Sequence, residues 1–215
     1  MKLIGITSRF NKDTSDLFVR KTYLDYVKKD FVPVIIPFIG NIDGVLEKCD
    51  AFLITGGLDI SPCFFNEERN LLGDYSLEGE DLLDKRIIEH ASETKKPVLG
   101  ICRGIQSINV FLGGTLKHHI EGHNAKDKNQ LFVPTGKGTY LSQIFKDKFF
   151  INSFHHQSIS KLAPNLVCAG YSNGEIEAVE HESLPIIGVQ WHPERLNDSN
   201  SAKIIELFKR LVYDI

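Results

Sequence analysis

Two short runs in this chain hold residue types that could do chemistry together. The first is Gly100-Ile101-Cys102-Arg103-Gly104, a thiol framed by glycines where the apolar run Pro97-Val98-Leu99 meets a helical pattern. A nucleophile on a sharp strand-to-helix turn projects from the carboxyl edge of a sheet, and glycines on either side admit strained backbone and close approach of a substrate. A helix opening at Arg103 aims its free N–H groups at the sulfur, which lowers the thiol pKa and stabilises an oxyanion beside it. The plainer alternative is that Cys102 packs as a small buried hydrophobe, as free cysteines often do. Cys49, Cys63 and Cys168 have no such frame and are read as packing residues.

A thiol nucleophile needs a base, and the base needs a group to orient it. Gly188-Val189-Gln190-Trp191-His192-Pro193-Glu194 ends an apolar run with a histidine and a carboxylate two residues apart. Pro193 biases His192 toward extended backbone, so the two side chains share a face and the carboxylate can reach the imidazole. Taken alone, the triplet is equally compatible with a surface His-Glu pair that does nothing.

The elements needed to position these groups follow from periodicity. Leu3–Thr7, the FVPVIIP run and Ala51–Thr55 read as strands, and so does PVLGI before Cys102. Between them, 16–29, a short segment near 42–49 and 80–94 carry helical spacing, and RGIQSINVFLGG is a helix ended by a glycine pair. Strands alternating with amphipathic helices predict an α/β fold with a mostly parallel sheet. Leu58 to Gly79 is too polar and too interrupted by Gly and Pro for a core element, and loops of that length are commonly functional. From Thr115 onward β-like segments follow at QLFVPT, FFINSF, LVCAGYS, IEAVEH and PIIGVQWH, the last two as a pair, before a final helix from Ser201.

With 215 residues, 42% hydrophobic and 25% charged, the chain suits one domain, 1–215, with no repeat or linker to divide it. A net charge of -3 and scattered lysines provide no field for nucleic acid. The amino-terminal apolar run is too brief for a signal core and no window reaches membrane-span length, so a cytoplasmic protein is expected. Four cysteines without CxxC or CxxH spacing suggest neither a disulfide framework nor a zinc site. No phosphate-loop, flavin or nicotinamide fingerprint occurs, so no cofactor and no metal is expected.

PVLGICRGIQSINVFLGGTL, FLITGGLDISP, INSFHHQSI, LAPNLVCAGYSNGEIEAVE and GVQWHPE, in that order, resemble the class I glutamine amidotransferase superfamily, and within it the gamma-glutamyl hydrolase branch, peptidase family C26, which includes gamma-glutamyl-GABA hydrolases. The resemblance implies a flavodoxin-like sandwich, a central mostly parallel sheet with helices on both faces and a small antiparallel C-terminal extension. It implies Cys102 as nucleophile, His192 as general base and then acid, and Glu194 as its orienting partner. It implies an oxyanion hole from the backbone N–H groups of Gly57 and Arg103. Gln106 then matches a position that contacts the glutamyl head group, and Ser153, Phe154 and His155, with His156 and Gln157, match a loop lining the same pocket. Each also has a structural alternative: Gln106 facing solvent on a helix, the histidines forming a polar loop, and Asp59 and Ser61 capping a turn.

The implied reaction cleaves a small-molecule γ-glutamyl amide through a cysteinyl thioester. CRG after the nucleophile and the GGLDISP segment resemble the hydrolases, whereas glutaminase subunits, which pass ammonia to a synthetase partner, typically carry CLG. The short chain and its Lys, Asn, Ile and Phe richness resemble branch members that release a cytidine diphosphate amide. For such a leaving group Arg9, Arg103, His155, His156 and Arg195 are the candidate cations.

Overall fold

The computed structural model describes residues 1–71, 73–123 and 130–214. The amino-terminal half contains β1 (Leu3–Thr7), β2 (Arg9–Asn11), β3 (Asp16–Phe18), α1 (Lys21–Val27), β4 (Val32–Ile36), α2 (Asp43–Lys48), β5 (Ala51–Ile54), α3 (Glu78–Thr94), β6 (Val98–Ile101) and α4 (Arg103–Phe111). There follow β7 (Thr115–Lys117), β8 (Gln130–Pro134), α5 (Leu141–Ile144), β9 (Phe149–Ile151), β10 (Ser158–Lys161), β11 (Leu166–Ser172), β12 (Glu175–His181), β13 (Ile186–Val189) and α6 (Ser199–Tyr213).

Nine strands make the main sheet, in the order β4-β1-β5-β6-β13-β12-β11-β8-β9. β4, β1, β5, β6 and β13 run parallel, and β12, β11, β8 and β9 add on antiparallel. The antiparallel extension is thus four strands wide, formed by the segments QLFVPT, FFINSF, LVCAGYS and IEAVEH that read as β-like in the sequence. Residues along each parallel strand alternate between two apolar layers because strand side chains point to opposite faces. Ala51 and Leu53 of β5, Leu99 and Ile101 of β6, and Ile187 and Val189 of β13 pack with Tyr23 and Val27 of α1 and Ile204 and Phe208 of α6. Phe52, Ile54, Val98 and Ile186 pack instead with Leu46 of α2, Ile87 and Ile88 of α3, and Ile105 and Ile108 of α4. Both faces are therefore covered, which is why these strands read as continuous apolar runs.

One expected helix is shorter than its pattern. Asp16–Phe18 pairs as β3 with β2, and α1 begins only at Lys21. Asn11 Oδ1 accepts the Asp13 N–H at 2.9 Å and tightens the turn between the two strands, a local side-chain bond that competes with helix. The final helix starts two residues earlier than expected, because Asp198 caps it by accepting the Ser201 N–H at 2.8 Å. No helix among the described residues is long and apolar enough to cross a membrane.

Candidate active site

The chain leaves β1 for β4 on one side and returns to place β5 on the other, so the sheet has a switch point where a crevice opens at the carboxyl ends of the strands. A cleft of about 530 Å³ lies there, reaching Arg9 after β1, Thr55, Gly56 and Gly57 after β5, and Cys102 after β6.

Cys102 has φ +56° and ψ -106°, a conformation that non-glycine residues avoid. The glycines around it are required by contact. A Cβ on Gly100 would lie 2.6 Å from the Gly104 carbonyl, and one on Gly104 would fall onto the Ile54 carbonyl oxygen. Their absence lets α4 begin directly against β5 and β6, so its amino-terminal end faces the thiol.

The imidazole of His192 and the Cys102 side chain meet beside Gly56, and His192 Nδ1 lies 2.7 Å from Glu194 Oε1. Glu194 is not on extended strand as the triplet suggested. It sits in a 3-10 turn, Pro193–Arg195, which brings its carboxylate back onto the ring. Burial alone would push the Cys102 thiol up, but the charge and hydrogen bond of His192, joined by the charge of His155, outweigh it and hold the thiol below its usual value. Burial likewise favours neutral His192, yet the thiolate's charge and hydrogen bond, with Glu194, push the imidazolium up to about 9. The arrangement favours a thiolate–imidazolium pair steadied by a carboxylate.

The backbone N–H groups of Gly57 and Arg103 make no hydrogen bond among the described residues, so both remain available as donors, one beside the cleft and one at the first turn of α4. The strand end carrying Gly57 is held from behind. Arg9 donates to the Thr55 carbonyl at 2.7 Å and the Gly56 carbonyl at 3.2 Å, and the Gly56 N–H donates to the Tyr23 hydroxyl at 2.8 Å.

The Arg103 side chain does not face the cleft, which corrects its reading as a leaving-group cation. It is 1% exposed, paired with Asp81 at 2.5 Å and with Asp84, whose carboxylate also takes Arg9 at 2.9 Å. Two buried guanidiniums need those carboxylates, so neither aspartate is free. His156 pairs with Asp59 at 3.0 Å and His155 is buried at 4% exposure, so neither histidine stands as a free cation in the cleft. Asp59 and Ser61 hold turn structure: Asp59 Oδ2 accepts the Asp74 N–H at 3.0 Å and the Ser61 N–H donates to Asp81 at 3.2 Å.

Of the four expected substrate contacts, Phe154 alone lines the cleft. Its ring meets His192 edge-on at 5.4 Å, and the Arg195 guanidinium lies 4.6 Å over it. Gln106 is 3% exposed and donates to the Gln157 carbonyl and to Gln190, both at 3.2 Å. Ser153 is fully buried and donates to the His123 carbonyl, while His155 Nδ1 lies 2.8 Å from the Gln157 carbonyl oxygen.

Sequence reasoning missed Tyr23, Asn152 and Arg20. Tyr23 carries no local signal, since its hydroxyl acts on Gly56, 33 residues away. Asn152 was visible only as part of the INSF motif, and Arg20, which lines the cleft and stacks on Phe18 at 5.8 Å, depends on the β2–β3 turn that the helical reading hid.

The sequence profile of the peptidase C26 family matches residues 2–194. The gamma-glutamyl-CDP-amidate hydrolase of Campylobacter jejuni is 32% identical over 186 residues, covering 86% of this chain and 82% of that protein. The gamma-glutamyl-gamma-aminobutyrate hydrolase PuuD of Escherichia coli is 32% identical over 176 residues, covering 71% and 67%. A Mycobacterium tuberculosis protein, provisionally named a glutamine amidotransferase, is 36% identical over 185 residues; the match takes in 80% of this chain but only 58% of that one. A crystal structure of a glutamine amidotransferase from Thermotoga maritima superposes with a TM-score of 0.69 at 14% identity, covering 99% of this chain and 98% of that one, a likeness of fold.

Proposed function

This chain belongs to the peptidase C26 family, and from that premise we propose that it hydrolyses a γ-glutamyl amide through a thioester on Cys102. Membership makes it a hydrolase or amidotransferase. The observation that carries the finer reading is Cys102 on its strained turn, beside a His192 that Glu194 holds at 2.7 Å.

The steps follow from that geometry. The Cys102 thiolate attacks the γ-carbonyl carbon, and the resulting oxyanion lies against the Gly57 and Arg103 N–H groups. The C–N bond breaks as His192 gives its proton to the leaving nitrogen, and the glutamyl group stays on sulfur. His192, now neutral, takes a proton from water; the hydroxide adds to the thioester, the C–S bond breaks, and glutamate leaves with the thiolate restored. Glu194 orients the ring throughout and need not accept the proton.

For the leaving group we favour an anionic amidate of the kind named for the Campylobacter relative. Arg20 and Arg195 support this, because both line the cleft. Arg20 makes no ion pair among the described residues, and Arg195 shares a carboxylate with His192, 3.3 Å from Glu194. A cationic polyamine would meet these guanidiniums as like charges, while of the carboxylates lining the cleft Asp74 is paired with Lys12 and Glu80 accepts the Phe10 and Leu77 N–H groups, which leaves Asp13 to attract it. The second reading is a γ-glutamyl-GABA hydrolase, supported by the PuuD relative; the third is a glutaminase that delivers ammonia to a synthetase partner. The test is a side-by-side assay on glutamine, γ-glutamyl-GABA and a synthetic γ-glutamyl nucleotide amide, with Cys102→Ala as control. Turnover of the nucleotide amide above both others, lost in the control, supports the proposal. Preference for γ-glutamyl-GABA installs the second reading, and activity on glutamine alone the third.

A further inference from the structure

Three side chains from separate segments meet out of solvent. His123 precedes β8, His155 lies between β9 and β10, and Glu177 is on β12. They are 2%, 4% and 0% exposed. Glu177 Oε1 is 3.3 Å from His123 Nδ1 and 3.3 Å from His155 Nε2, and one donor atom from each residue lies within 4.8 Å of the other two. None of these atoms makes a well-aligned hydrogen bond: His123 Nδ1, His155 Nε2 and both Glu177 oxygens are buried polar atoms without a partner among the described residues. Buried polar atoms are normally satisfied, and four unsatisfied ones converging on one spot call for an occupant.

The orientation of His155 narrows what the occupant is. Its Nδ1 lies 2.8 Å from the Gln157 carbonyl oxygen, which can only accept, so Nδ1 carries the hydrogen. The neutral ring then has no proton for the carboxylate, so Nε2 and Glu177 face each other as two acceptors unless a second proton, which Glu177 favours against burial, or a metal ion comes between them. A backbone carbonyl holding one imidazole nitrogen while the other points at a shared centre is the outer support typical of metal-bound histidine. The two N···O spacings of 3.3 Å agree with this, since zinc bonds of about 2.0–2.1 Å place neighbouring corners of a tetrahedron about 3.3–3.4 Å apart.

We propose that His123, His155 and Glu177 form a binding site for a divalent transition ion of the zinc class, with a fourth position left for water. Two neutral imidazoles and one carboxylate are a donor set zinc accepts. The ion ties β12, the segment before β8 and the β9–β10 connection together behind the catalytic thiol, and it supplies the positive charge a fully buried carboxylate requires. It takes no part in the thioester chemistry and does not depend on which amide is cleaved.

The test uses the full chain carrying Cys102→Ala, so that the catalytic thiol cannot ligate, freed of metal with chelator and titrated with Co(II) and then Zn(II). One equivalent of Co(II) with the intense visible bands of tetrahedral coordination, displaced by Zn(II) and accompanied by a rise in Tm, is the expected result. Glu177→Gln and His123→Asn, each confirmed as folded by circular dichroism, should bind at least about tenfold more weakly. His192→Ala should bind as before. No saturable Co(II) signal, or binding undiminished in both Glu177→Gln and His123→Asn, would overturn the site. So would a metal-free protein in which His155 is shown by NMR to hold a proton on both ring nitrogens while added Zn(II) leaves its resonances unmoved.

Discussion

Asn152 holds both backbone polar groups of His192: its Oδ1 accepts the His192 N–H at 2.8 Å and its Nδ2 donates to the His192 carbonyl at 3.0 Å. At φ -108° and ψ 84°, His192 is in neither a strand nor a helix, so the Asn152 amide does for it what a ladder does for Val189. The side-chain end is fixed at Nδ1 by Glu194 and the backbone end by Asn152, so the ring is held from both ends beside Cys102.

Replacing Asn152 by Ala leaves the buried His192 N–H unpaired and its C=O with only the Arg195 N–H, 3.2 Å away. The expected cost is about 2–3 kcal/mol of stability, with a fall of about tenfold or more in kcat and little change in KM. Asn152→Asp, which can accept but not donate, should fall between. Thermal melts and steady-state kinetics on the preferred amide check this, and an Ala variant with wild-type Tm and kcat would remove the positioning role.

The thiolate–imidazolium pair sets the pH profile. With Cys102 held below its usual range and His192 raised to about 9, the paired form exists between the two titrations. Activity should rise on the acid side as the thiol ionises and fall on the alkaline side near pH 9 as His192 loses the proton it must give to the leaving nitrogen. The stability contribution of His192 has the same sign: complete below its unfolded value of about 6.5 and lost as pH rises through about 9. Removing the thiolate with Cys102→Ala takes away a principal cause of the rise, so His192 should titrate lower by NMR. If His192 titrates near 6.5 in the intact protein and iodoacetamide alkylates Cys102 only above about pH 8.5, no such pair forms.

The parts of this site that were legible in sequence are those made by neighbours along the chain. Cys102 with its glycines, the strand before it and the helix after it form one local unit, and His192 and Glu194 are two residues apart. The strands of the parallel sheet were equally plain because burial on both faces leaves unbroken apolar runs such as Ala51–Ile54. What sequence could not reveal was pairing at a distance. Arg103 adjoins the nucleophile and so looked like a cleft residue, but Asp81 and Asp84, 22 and 19 residues earlier, draw its guanidinium into the core. The β2–β3 hairpin was hidden because Leu17 fits a helical period, while the turn depends on Asn11 bonding its own backbone. Likewise His123, His155 and Glu177 have no spacing that suggests ligation, since folding of the antiparallel extension alone assembles them.

Asp84 joins the guanidiniums of Arg9, which grips the strand end carrying Gly56 and Gly57, and of Arg103; Ser107 also donates to it at 2.7 Å. Asp84→Asn would leave Arg9 and Arg103 with one charge between them unmet, at about 3–5 kcal/mol. The Gly56-Gly57 segment, gripped by Arg9, should loosen with it. The expected outcome is a lowered Tm and, in the fraction still folded, a loss in kcat that exceeds the change in KM. A Tm within a degree of wild type would show that the pair is not holding this part of the fold.

Gly104 tests the packing of the Cys102 turn separately from its charges. A Cβ there falls onto the Ile54 carbonyl oxygen, backbone that cannot swing aside. Gly104→Ala should therefore cost about 3 kcal/mol, and Tm should fall by roughly 6–12 °C for a chain of this length. A Tm equal to wild type would mean that α4 can stand farther from β5 than the geometry requires.

Arg20 and Arg195 are the cations with which the cleft can meet a negatively charged leaving group, since Arg9 and Lys12, which also line it, are paired with Asp84 and Asp74, and Arg103 is committed to Asp81 and Asp84. Arg195 has two roles, because it also touches Glu194 at 3.3 Å and covers Phe154, so its loss should reduce kcat for every substrate. Arg20 contacts neither His192 nor Glu194 and provides the cleaner test. Arg20→Ala should raise KM for a γ-glutamyl nucleotide amide by about tenfold, the scale of one charge-assisted contact, while KM for neutral γ-glutamyl-p-nitroanilide stays within twofold. The difference should shrink as salt is added, since an exposed guanidinium is screened. Equal effects on the two substrates at low salt would mean that Arg20 shapes the cleft wall without reading charge, and the preference for an anionic leaving group would then have to rest on Arg195 alone.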